Sequence, residues 1–101
     1  MTVDAIMIKE ADNVATALRE IRPGETVLMG IGARQDRIEV RESIPYGHKF
    51  AAQDIAKGDP IIKYGEVMGR ATQAIGAGCH AHIQNIESLR GRGDLASGEE
   101  A

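Results

Sequence analysis

Ile44-Pro45-Tyr46-Gly47-His48-Lys49-Phe50-Ala51 decides the reading of this chain. An isoleucine anchors the segment and a glycine three residues on turns it. The same Ile-x-x-Gly step stands at Ile21–Gly24, Ile55–Gly58 and Ile75–Gly78. Glycine takes left-handed turn conformations that other residues avoid, so each step reads as a tight corner with its isoleucine pinned to a core. The steps are unevenly spaced along the chain, which argues against a solenoid and for a small β body of short strands and sharp corners.

Outward from the corners, the pattern is mostly period two. Residues 5–9, 26–31, 37–41, 61–64 and 80–84 read as strands. One segment reads differently. Asp12 and Asn13 offer a helix N-cap, Val14, Ala17, Leu18 and Ile21 follow at helical spacing, and Arg22-Pro23-Gly24 ends the run. The expectation is a mainly β fold with one or two short helices. Residues 1–90 form the domain, and the charged, glycine-containing residues 91–101 form a flexible tail.

Composition narrows the function. The chain has 101 residues, one domain's worth, with a net charge of −3 and only 3% aromatics. A mildly acidic surface without aromatic platforms excludes general nucleic-acid binding, and no apolar stretch is long enough for a membrane span. A single cysteine, Cys79, permits no intrachain disulfide, and the N-terminus shows no basic-then-apolar leader. The expected location is cytoplasmic.

The residues that could carry chemistry are few. His80 and His82 are two apart, so on a strand both imidazoles share a face and could bind one metal. Gln84 extends that face. His48 becomes a third member only if the fold brings Gly47-His48-Lys49 alongside, and a glycine corner beside His48 and Lys49 also suits an anion. Cys79 points away from His80 and reads as a small packed side chain rather than a nucleophile. Gly30-Ile31-Gly32 lacks the third glycine and the helix of a dinucleotide site. Tyr64 reads as a packed strand end with its hydroxyl in water.

The order of these motifs resembles a known family. The segment 44–51, Asp54-Ile55-Ala56-Lys57-Gly58-Asp59, Ile61-Ile62-Lys63-Tyr64-Gly65, Gly69 and the segment 75–85 are similar, in order and spacing, to the N-terminal domain of altronate and galactarate dehydratases. The resemblance covers roughly residues 6–90 and implies a SAF domain of β-clip type. It implies a small subunit that docks on a large dehydratase subunit and helps eliminate water from a sugar-acid substrate. A similar protein, the small subunit of sulfolactate sulfo-lyase, eliminates sulfite instead; a non-catalytic assembly module is the third reading. By the same resemblance His48 and His82 are catalytic, Lys49, His80 and Asn85 bind substrate, and His80 and His82 are metal ligands. The implied cofactor is a divalent metal, iron or manganese, held mainly by the large subunit. Gln84 stands where the family pattern has a third histidine.

Overall fold

A computed structural model describes residues 2–89 of the chain. The tail expected at 91–101 lies outside the described residues. All nine elements among them are strands: β1 (Ala5–Met7), β2 (Val14–Ala17), β3 (Thr26–Ile31), β4 (Arg34–Glu39), β5 (Lys49–Ala51), β6 (Pro60–Lys63), β7 (Glu66–Ala71), β8 (His80–Ala81) and β9 (Ile86–Ser88). They form a six-stranded sheet in the order β4-β3-β1-β2-β5-β8 and a three-stranded sheet in the order β6-β7-β9. Within the first sheet β1 runs parallel to β3; the other pairings are antiparallel.

The four corners form as read. Gly24, Gly47, Gly58 and Gly78 all have φ between 83° and 91°, the value a type II turn needs at its third residue. In each turn the N–H after the glycine donates to the carbonyl three residues back, as His48 does to Pro45 at 3.0 Å. The corners also pair with one another. Ile21 and Ile44 exchange two backbone hydrogen bonds of 2.9 Å, and Ile55 and Ile75 exchange two of 2.8 Å. Four residues before each isoleucine stands a second buried apolar residue: Ala17, Val40, Ala51 and Ala71. Each of these bonds to the partner corner, as when Gly47 donates to the Ala17 carbonyl and the Ala17 N–H donates to that of His48. Two reciprocal interlocks result, one built from residues 17–24 and 40–47, the other from 51–58 and 71–78. Gly78 shows why glycine is required: a Cβ there would lie 2.2 Å from the Glu39 carbonyl oxygen.

The core divides in the same way. One cluster gathers Ile21, Val27, Val40, Ile44 and Phe50. The other gathers Val14, Ala51, Ile55, Ile61 and Ile75, with Cys79 packed at its margin as a small apolar side chain. The Gly30-Ile31-Gly32 stretch leads into a β hairpin, not a nucleotide loop.

The expected helix over 12–21 is corrected to a strand. Val14–Ala17 pairs with β1 on one side and β5 on the other, and three of its four residues are buried. Asp12 and Asn13 cap no helix; their side chains bond the backbone of residues 60–65. Small and β-branched residues in an interior strand meet sheet partners on both edges, and that outweighs weak helical spacing. The strand expected over 80–84 shortens to His80–Ala81, because the chain turns at 82–85. Tyr64 is likewise not packed: it holds φ 58° in the β6–β7 turn and is exposed. β5, β7 and β9 were not read from the sequence at all.

Candidate functional site

The site lies where β5 meets β8, at the edge of the larger sheet. His48 occupies the last position of the second corner, so its backbone is clamped by the bonds to Pro45 and Ala17. Phe50 in β5 pairs with His80 in β8, which draws the Gly78 corner alongside. His80 donates its N–H to the Glu42 carboxylate at 2.8 Å. His82 opens the following turn, and Asn85 holds that turn shut. The Asn85 side chain accepts from the His82 N–H at 2.9 Å and donates to the His80 carbonyl at 2.8 Å. Asn85, expected to bind substrate, is thus buried and engaged at both ends by the backbone of the two histidines.

The fold therefore brings His48, His80 and His82 together. Their rings are stacked, with centroids 4.1 Å apart for His48 and His82, 5.2 Å for His48 and His80, and 5.5 Å for His80 and His82. His48 Nδ1 lies 2.9 Å from His80 Nε2. Gln84, despite the turn, still reaches the cluster: its Nε2 lies 3.0 Å from His80 Nδ1. His82 Nδ1 is buried and has no hydrogen-bond partner.

Burial, and then the neighbouring His48 and His82, push the His80 imidazole below its ordinary pKa; Glu42 opposes this. Burial, and then His48 and Lys49, do the same to His82. Both groups therefore favour neutral imidazole, the form that offers a lone pair to a proton or a metal. One ring nitrogen from each of the three histidines lies within 4.8 Å of the others, so the cluster could hold a metal ion. The donor set suits a divalent transition metal, and the buried His82 Nδ1 makes no hydrogen bond that an ion would have to break.

Beside the cluster a cleft of about 230 Å³ opens between the two sheets. It is lined by Lys49, Ile61, Lys63, Met68, His82, Ile83, Ile86 and Ser88. Burial lowers the pKa of Lys49, and the charge of Lys63 lowers it further. Lys63 escaped the sequence reading. Its signal was present: Ile61 and Lys63 alternate on β6 and share a face.

Fold and site together define a small all-β module that carries an imidazole cluster beside a cationic cleft. The chain belongs to the altronate/galactarate dehydratase SAF domain family, whose model matches residues 3–89. It is 34% identical over 93 residues to the (2R)-sulfolactate sulfo-lyase subunit alpha of Chromohalobacter salexigens, covering 89% of this chain and 99% of that protein. It is 42% identical over 83 residues to the altronate dehydratase of Bacillus subtilis and 41% identical over 83 residues to that of Escherichia coli. Those matches take in 82% of this chain but only 16% of each dehydratase. The chain is thus homologous to lyase proteins of both hydro-lyase and sulfo-lyase type. Among the described residues no helix is long and apolar enough to cross a membrane.

Proposed function

We propose that this chain is the small subunit of a two-component lyase that carries out β-elimination on a 2-hydroxy acid, with the sulfo-lyase type as the leading reading. The alignment along nearly the whole of a sulfo-lyase alpha subunit is the observation that carries it. A domain this thin, with one open cluster, suits a role completed by a larger partner subunit.

The chemistry asks for little from this side of the site. A base takes the proton from the carbon bearing the hydroxyl and the carboxylate. The freed electron pair forms a carbon–carbon double bond, and the bond from the next carbon to its leaving group breaks. Sulfite leaves from a sulfolactate, and hydroxide, released as water, leaves from a hexonate. The enol then takes a proton at carbon and becomes a 2-keto acid. His82 lines the cleft and is held neutral, so it suits the base. His48, stacked on it at 4.1 Å, accepts or relays the proton. Lys49 binds the carboxylate. His80, expected to share that role, instead braces His48 through its Nε2, and Asn85 keeps the histidine turn in place. A divalent ion such as iron or manganese, held mainly by the large subunit with His80 on this side, would supply positive charge that stabilises the enolate and would leave the His82 lone pair free for the proton.

The altronate-type hydro-lyase is the second reading, favoured by the higher identity to altronate dehydratases. The test is co-purification with a candidate large lyase subunit from the same organism, followed by assay on sulfolactate and on hexonates. Pyruvate and sulfite from sulfolactate support the leading reading; a 2-keto-3-deoxy acid from altronate supports the second. A complex inert on both leaves an assembly module. The chain alone turns over neither.

A further inference from the structure

Lys49 and Lys63 reach the cleft from opposite sheets, Lys49 from β5 and Lys63 from β6. Among the described residues neither has a carboxylate partner: every ion pair uses an arginine, namely Arg19, Arg34 or Arg70. Lys63 has only the face of Tyr64, 4.9 Å from its ammonium, which attracts the charge but takes no strong hydrogen bond. Yet the chain is acidic overall, with fifteen carboxylates from which a partner might have been drawn. Two like charges facing one half-buried cleft repel each other, and an anionic occupant removes that repulsion. The apolar floor of Ile61, Met68 and Ile86 limits that occupant to a short carbon skeleton.

We propose that Lys49 and Lys63 together make this cleft selective for a small dianion, a hydroxy acid bearing a second acidic group close to its carboxylate. Lys49, beside the histidines, takes the carboxylate at the reacting end. Lys63, across the cleft, takes the second acidic group and so sets specificity without touching the carbon that loses its proton. This rests on the lyase reading and deepens it: a sulfolactate carries two negative groups, whereas a hexonate such as altronate carries one.

Calorimetric titration of the full chain with sulfolactate and with lactate, the same skeleton without its sulfonate, tests the assignment. Sulfolactate is expected to bind roughly tenfold more tightly than lactate, the order of one added charge pair near a protein surface. Lys63→Met should erase that preference by weakening sulfolactate far more than lactate, and Lys63→Arg should restore it. Lys49→Met should weaken both acids. Equal affinity for the two acids in the wild-type chain overturns the proposal, whether or not any variant folds. So does the lack of sulfolactate binding at millimolar concentration, or a parallel loss of both acids in Lys63→Met. Binding is read on the chain alone and turnover on the assembly, so failure here and failure of the lyase reading are separate results.

Discussion

Two groups of buried or half-buried polar side chains lie in this small protein, and they are built on opposite principles. At the Asp12–Asn13 turn every bond is made. Asn13 donates to the Pro60 carbonyl and accepts from the Ile62 N–H, both at 2.8 Å, and Asp12 accepts from the N–H groups of Lys9, Tyr64 and Gly65. These side chains tie the larger sheet to the smaller one. At the histidine cluster the opposite holds: three imidazoles crowd together, one nitrogen is sealed without a partner, and burial lowers the basicity of two rings. A satisfied polar group rigidifies; an unsatisfied one retains the capacity to bind something. The first group is architecture and the second is chemistry, though both are short polar stretches in the sequence.

Substitutions can break that contrast. The largest expected effect is on catalysis. His82→Gln should lower turnover of the reconstituted assembly by about 100-fold or more while the denaturation midpoint of the chain stays close to wild type. A large loss of stability instead would place His82 with the architectural group. Next comes Asn13→Ala, which leaves the Ile62 N–H and the Pro60 carbonyl without their bonds. It should destabilise the chain by about 2–3 kcal/mol in urea titrations, with activity per folded molecule preserved. Asn85→Ala sits between the two, since Asn85 is fully bonded yet holds the histidine turn. A loss of about 1–2 kcal/mol should come with weaker sulfolactate binding, a combination that Asn13→Ala should not show.

The smallest effect is on pH dependence in chelator-treated chain. His80 and His82 titrate below their ordinary 6.5 when folded. As pH falls through 6.5 the unfolded chain takes up protons first, so stability declines on acidification and levels off below the folded values. Thermal melts from about pH 7.5 down to about pH 5.5 should show the decline, and His80→Asn combined with His82→Gln should flatten it. The lowered carboxyls of Asp4 and Glu25 act only below the ordinary carboxylate range, so they do not contribute there.

Much of this was legible in the sequence, for a local reason. The corners announce themselves because glycine at positive φ and a buried isoleucine are demands that a four-residue stretch can state. The strand at 26–31 was clear because its alternation is long. Val14–Ala17 was misread because its burial comes from partners at Ala5, Ile6 and residues 49–51, and nothing within the segment records them. The strands at 49–51, 66–71 and 86–88 escaped for similar reasons: two are three residues long, and the third is half exposed and interrupted by Gly69. At the site, His48, Lys49, His80 and His82 stood out as residue types, but their convergence depends on the pairing of Phe50 with His80. Lys63 was overlooked because a lysine on a short strand is ordinarily solvated. The residues four positions before each isoleucine were missed because alanine and valine attract no notice singly; only set side by side do they mark the interlocks.

The interlocks bear on how the site comes into being. His48 ends a corner of the first interlock and His80 follows a corner of the second. Neither interlock closes from neighbouring residues, since each joins segments some twenty positions apart along the chain. Such pairings are slow to search out, because loop closure must precede the contacts that reward it. The imidazole cluster is therefore the seam at which two separately knotted halves are joined. A ligand seated there stitches the halves together, and its binding energy becomes resistance to unfolding of the whole chain.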